Sequence, residues 1–354
     1  MNKYCGRIFP IVMCITTLTI VSGCRVIPTI HSSDGISFQS DTSTSSNQSD
    51  SIDSSNAISG DEDAIITFSD PAIEYSVRSL LQREKGDIRS SDLAVIEDIY
   101  IGGAKSLEDL KQFHALKILD LENNAEYDPN FNTFKDISAL SDLPQLEELY
   151  LNGNSQVADF SPISKLVNLR RLNLLSCEIT DIGFLTKLQN LKELSLGHNE
   201  IENLGVLCAL PGIEILCLEK CNLSDVSVLG CLTNLRELRI YDNKIENIDF
   251  VCNFPLLQKL YISGNKVSDI GCLEGLHDLD SLFADDNMIT DLSSLEELMK
   301  LDSLRLQRNR ITDINPIRNS NQLEVLLLDG NPIEDYSPVK GYYDSLYEKD
   351  FTID

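Results

Sequence analysis

The residues of this 354-residue chain with chemical potential are four histidines, ten cysteines and a large population of carboxylates. His31, His114, His198 and His277 are scattered, so neither a histidine metal site nor a hydrolase triad is expected from them. Gly-x-Ser-x-Gly, a Gly-Lys-Ser/Thr phosphate loop and His-Glu-x-x-His are all missing. Asp128-x-Asn130-x-Asn132 begins like a calcium loop, within the stretch Tyr127 to Thr133. Thr133, however, stands where the turn glycine belongs, and Ala139 where the closing Glu belongs. These residues predict no catalytic centre, no cofactor and no metal, and so no enzyme.

Composition narrows the partners. With 56 Asp+Glu against 29 Lys+Arg, the formal charge is −27. Such a chain cannot neutralise a run of phosphates, which excludes nucleic acid, and it has no basic face for an anionic membrane. An apolar content of 42% is enough for a sizeable core, and ten cysteines are far too few for a disulfide scaffold.

The elements that must position any site follow from one pattern, Leu-x-x-Leu-x-Leu-x-x-Asn. It runs from Leu116/Leu119/Leu121/Asn124 to Leu323/Leu326/Leu328/Asn331 in ten copies, with Ile96/Ile99/Ile101 as a degenerate copy before them. The period is 22 residues from Leu169 onward, 23 for the step before it, and 30 for the first. Leu-x-Leu alternation predicts a short strand with one buried face. The Asn turns the chain inward, where its amide can bond backbone groups left bare at the turn. Cys177 and Cys221 take that slot in two copies, as small residues that bury readily. Two residues on, Ile179, Ile201 and their equivalents belong to the core. A second ladder follows: Asp136, Asp159, Asp181, Asn203, Asp225, Asn247, Asp269, Asp291, Asp313 and Asp335. These are predicted to cap short helical turns on the opposite side rather than to bind metal. Stacked units of this kind form a solenoid with a parallel sheet on one face.

The repeats resemble the leucine-rich repeats of bacterial internalins over about two-thirds of the chain. The resemblance implies an α/β fold, a curved horseshoe with the strands on its concave face. It extends to residues 65–112, where Asp70-Pro71 opens a helical stretch through Val77, Leu80 and Leu81, similar to the N-terminal helical cap of such proteins. The repeats occupy 113–331. Residues 332–354 are expected to form a C-terminal cap, a helix and tail covering the last strand edge. The first 24 residues are of another kind. Lys3 and Arg7 precede the apolar run Ile8 to Val21, which ends in Val21-Ser22-Gly23-Cys24. This resembles a bacterial lipoprotein signal peptide over residues 1–23, and implies cleavage before Cys24 and a lipid on its sulfur. Residues 24–64 then read as a Ser/Asp-rich disordered tether. The protein is thus expected on the outer face of a bacterial cytoplasmic membrane, exposed to the cell wall or the extracellular space.

On a concave sheet the outward strand positions are free of structural duty. The central ones run Tyr100, Asp120, Tyr150, Asn173, Ser195, Cys217, Arg239, Tyr261, Phe283, Arg305, Leu327. Adjacent strands lie ~4.8 Å apart, so the last five form a continuous stripe, with Tyr241 and Arg308 beside it. Tyr and Arg dominate binding hot spots. Arg239, Tyr241, Tyr261, Phe283, Arg305, Arg308 and Leu327 are therefore the expected contact residues for a protein or peptide partner, with a glycan or cell-wall polymer as the alternative. A monomer is expected. Cys217 faces outward and Cys221 inward, so they are not a zinc pair. Cys208, Cys231, Cys252 and Cys272 fall around the convex turns, mostly as thiols, and a bond such as Cys231–Cys252 between adjacent coils requires Cα atoms within ~7 Å.

Overall fold

The computed structural model describes residues 63–123 and 131–353. Cys24, the signal segment and nearly all of the tether lie outside the described residues, as do Asn124, Tyr127, Asp128 and Asn130.

Twelve short strands pair in parallel, each beside the next in sequence. They are β1 Asp98–Tyr100, β2 Ile118–Asp120, β3 Glu148–Tyr150, β4 Arg171–Asn173, β5 Glu193–Ser195 and β6 Ile215–Cys217. β7 Glu237–Arg239, β8 Lys259–Tyr261, β9 Ser281–Phe283, β10 Ser303–Arg305, β11 Val325–Leu327 and β12 Glu348–Lys349 complete the sheet. The middle residue of β2 to β11 is the second Leu of each motif, and all ten are at most 1% exposed. Opposite the sheet, each coil closes through a short 3₁₀ turn, with Pro162, Pro316 and Pro338 near the starts of three of them. All ten residues of the second ladder cap these turns: each Oδ1 accepts from the backbone N–H two residues on, at 2.8–3.0 Å. Among the described residues, no three His, Cys, Asp or Glu side chains converge to hold a metal ion.

The Asn ladder works from both ends of its amide. Asn243 Nδ2 donates to the carbonyls of Leu218, Ile240 and Tyr241, at 2.9, 3.0 and 3.2 Å. Its Oδ1 accepts from the Cys221 and Leu223 N–H groups of the preceding coil, both at 3.0 Å. Cys221 replaces only half of this, its Sγ donating to Leu196 O at 3.3 Å. Burial pushes the Cys221 thiol up to about 11 and that of Cys177 to about 12, which makes them structural rather than nucleophilic.

The first repeat differs from the sequence reading. Its ladder residue is Asn132, which donates to Leu121 O at 2.8 Å and accepts from Ala104 N at 2.8 Å. Phe134 then fills the core and Asp136 caps the turn. The extra residues of this repeat therefore lie before the ladder, between Leu121 and Asn132. This also removes Asn132 from the calcium-like run, because its amide is 2% exposed and spent on backbone.

Both ends are closed by polar docking. In α1 (Pro71–Leu80), Asp70 caps Ala72 N through one oxygen and accepts from Lys105 N and Ser106 N through the other. Asp109 answers by accepting from Ser69 N, Ser69 Oγ and Asp70 N at 2.8–2.9 Å. A short α2 (Ser90–Leu93) precedes β1. The expected C-terminal helix is instead two 3₁₀ turns, Ser337–Val339 and Tyr343–Ser345, followed by β12. Leu346-x-x-Lys349-x-Phe351 is a degenerate coil in which Lys349 stands where a Leu would. Its ammonium donates to Leu346 O at 3.1 Å and lies 4.6 Å from the Tyr343 ring centroid. A terminal coil has no further coil to bury against, so a polar residue is tolerated there.

Leu327, at the end of β11, is only 7% exposed. Leu238→Ala should cost about 2–5 kcal/mol, and Leu327→Ala, near neutral on the sequence reading, should cost a measurable share of that. Denaturant unfolding of the two variants checks this. A Leu327 variant indistinguishable from wild type would return the residue to the open face.

On the convex side the bond is Cys208–Cys231, with Cα atoms 5.6 Å apart, one coil earlier than Cys231–Cys252. Cys252 is an exposed thiol, and Cys177, Cys217 and Cys221 are buried thiols.

Candidate binding surface on the concave sheet

Register brings the outward residues into line. Arg239 pairs with Tyr261, Tyr261 with Phe283, Phe283 with Arg305 and Arg305 with Leu327 across β7 to β11. The Tyr261 and Phe283 rings meet edge to face, with centroids 4.8 Å apart and planes at 76°. Each ring also carries a guanidinium: Arg239 Cζ lies 5.0 Å from the Tyr261 centroid, and Arg305 Cζ 4.7 Å from that of Phe283. The cations are held from beside. Arg239 Nε donates to Glu237 Oε1 at 2.5 Å, and Arg305 Nη2 is 3.6 Å from Glu348 Oε2. Arg305 Nε is buried without a hydrogen-bond partner. The result is a half-buried block of two rings between two cations, each side chain held by its neighbours.

The remaining expected residues lie around this block. Tyr241 is half-buried two residues beyond Arg239, and burial raises its phenol well above the usual range. Arg308 is outside the strand, in a left-handed turn residue (φ +53°), and pairs with Asp286 through two contacts of 2.6 Å. It marks the rim rather than the floor. Leu327, in register with Arg305, is buried at the end of the line.

Two features escaped the sequence reading. On β3 to β5, Arg171 bridges Glu148 at 2.9 Å and Glu193 through two bonds of 2.5 and 2.7 Å, while Tyr150 Oη donates to Glu148 at 2.7 Å. Desolvation and Glu148 push the Tyr150 phenol up to about 12. The signal was available as opposite charges at one strand position in successive coils. The second is Glu219, 2% exposed, with Oε2 lacking a hydrogen-bond partner and burial raising its carboxyl. It lies against Gly197, where an added Cβ would meet Glu219 Cδ at 2.5 Å. Only the glycine one coil back makes room for it, which no local pattern discloses.

Comparison with known proteins agrees with this architecture. The family profile described as Leucine Rich repeats (2 copies) matches residues 167–209 and 255–297. The chain is a leucine-rich-repeat solenoid. No curated protein matches its sequence. Among solved structures, an internalin (inlF) from Listeria monocytogenes is 25% identical, with a TM-score of 0.64, over 81% of this chain and 96% of that one. A plant peptide hormone receptor in complex with RGF2 is 21% identical, with a TM-score of 0.52, over 69% of this solenoid and 45% of the receptor. A leucine-rich-repeat protein of Leptospira interrogans is 20% identical, with a TM-score of 0.44, over 74% and 97%.

Proposed function

We propose that this protein is a lipid-anchored bacterial surface protein that recognises a protein or peptide partner through β7 to β10 of its concave sheet. It acts by binding, without catalysis. The observation that carries the reading is the Arg239–Tyr261–Phe283–Arg305 block, whose rings and cations are pre-set by their neighbours. A preorganised aromatic and arginine cluster loses little side-chain entropy on association, which is how a few residues come to dominate an interface. Tyr241 and the rim residue Arg308 extend the contact area.

The same geometry disfavours the glycan alternative. Stacking on a sugar needs a flat, open ring face. Here one face of each ring lies under a guanidinium, and the two rings meet at 76°. A partner that inserts its own side chains between these groups fits better.

Capture of partner proteins by wild type and by the Tyr261→Ala/Phe283→Ala variant tests the surface. The anchor is tested separately. Cys24→Ser should move the protein from the membrane fraction of expressing bacteria to the medium, with loss of labelling by a fatty-acid probe. Retained labelling would overturn the anchor and leave the concave reading standing.

A further inference from the structure

The 3₁₀ turns on the convex side repeat as faithfully as the strands. One buried residue anchors each of four successive turns: Leu207, Leu229, Val251 and Leu273, 22 residues apart and all 0% exposed. Cys208, Gly230 and Cys252 each follow their anchor, whereas Val228, Phe250 and Cys272 each precede theirs. In a solenoid of constant period, a given position meets the same position of the next coil throughout such a run. Cys252 and Cys272, outside the Cys208–Cys231 bond, occupy two such positions on the turns Asp249–Asn253 and Gly271–Leu273.

The two preceding steps measure how closely these positions approach. Cys208 Sγ lies 3.5 Å from Val228 O. A Cβ added to Gly230 would stand 3.5 Å from Phe250 Cβ. One coil on, the same step runs from Cys252 to Cys272. A disulfide requires Cβ atoms about 3.5–4.5 Å apart, and the repeat places these two cysteines at that separation. Their surroundings agree. Burial pushes the Cys272 thiol up to about 12, with Asp249, Cys252 and Asp269 adding to the effect. Cys252 is exposed, and its Sγ makes a weak contact with Asn253 Oδ1 at 4.0 Å, which rotation about χ1 releases.

We propose that Cys252 and Cys272 form a second inter-coil disulfide site, closed by an external disulfide acting as oxidant. The Cys252 thiolate attacks that disulfide; one oxidant sulfur bonds to Cys252 Sγ and the other leaves as a thiol. Cys272 then loses its proton and attacks Cys252 Sγ, expelling the second oxidant thiol. Two protein thiols become one S–S bond, and the oxidant is reduced to two thiols. The order follows from access: Cys272 is half-buried and holds its proton strongly, so Cys252 reacts first. The bond ties together the turns of the two coils whose strands carry Tyr261 and Phe283. The proposal rests on the convex turns and stands whether or not the concave face binds a partner.

The test treats the full chain with glutathione disulfide, blocks the remaining thiols and maps tryptic peptides by mass without reduction. Peptide 245–259 contains Cys252 and peptide 267–300 contains Cys272, each as its single cysteine. In wild type the two should appear joined, lighter by two hydrogen atoms than their sum and carrying no glutathione. Cys272→Ser removes the second step, so glutathione should stay on Cys252. In Cys252→Ser, Cys272 should keep its thiol. Serine is close to cysteine in size, and a circular dichroism spectrum like that of wild type verifies the fold of both variants. Glutathione retained on Cys252 of wild type would overturn the proposal. So would Cys252 linked to Cys231 or to a second chain, or the two peptides left unjoined at millimolar oxidant.

Discussion

Replacing Tyr261 and Phe283 together with alanine should weaken partner binding about a thousandfold, taking each as a hot spot of ~2 kcal/mol or more. The two rings are each other's contact at 4.8 Å, and each supports one guanidinium. Without them Arg239 and Arg305 still pair with Glu237 and Glu348 but lose the ring surface that orients them. The effect should exceed that of either single variant, and it should depart from their sum because the two rings are in contact. Stability should change little, since both side chains leave the solenoid on its open side while Leu260 and Leu282 hold the core. Tyr347, 81% exposed and distant in sequence, supplies the control substitution. Surface-exposed proteins captured by wild type and by the Tyr347→Ala variant, but not by the double variant, would support the concave surface. Capture that survives the double substitution would sink it.

The second large effect is on the fold. Asn243→Ala should destabilise the protein by about 3–5 kcal/mol, because buried polar groups stripped of a partner cost ~1–3 kcal/mol each. Leu218 O and the Cys221 and Leu223 N–H groups lose their bonds at once, while Ile240 O still accepts from Asn265 Nδ2 and Tyr241 O from Lys220 N. Asn243→Cys should cost less, since Cys221 shows that a thiol can still donate to a carbonyl in this slot. Because coils contact mainly their neighbours, the loss should fall on β6 to β8 and appear there first as faster amide hydrogen exchange. A denaturation midpoint equal to that of wild type would mean that the ladder is decorative.

Much of this was legible from residue spacing. The Leu positions, the Asn slot and the Asp caps each repeat at a fixed interval, and a solenoid turns an interval in sequence into an adjacency in space. Hence the line Arg239, Tyr261, Phe283, Arg305 can be drawn before any coordinates exist. The same logic failed where the interval changed. Across the long first repeat, Asn124 fitted the local motif, yet Asn132 holds the ladder, bonding Leu121 O and Ala104 N together. At the C-terminus the motif dissolves into Lys349 and Asp350, so neither β12 nor the burial of Leu327 was visible. The Asp350 carboxylate accepts from Leu328 N and Asp329 N at 2.7 and 3.0 Å, which ties the last coil down without a recognisable Leu.

Periodicity by itself determined the solenoid, its inward and outward faces, and the capping role of carboxylates that account for part of the −27 charge. Contacts between coils decided the rest. They fixed which outward residues are covered, how the rings and guanidinium groups of the concave block stack, and which cysteines meet. A repeat specifies each coil through local alternation and hydrogen bonding. The space between two coils depends on side-chain volumes and backbone paths contributed by both, and no single stretch of sequence contains that information.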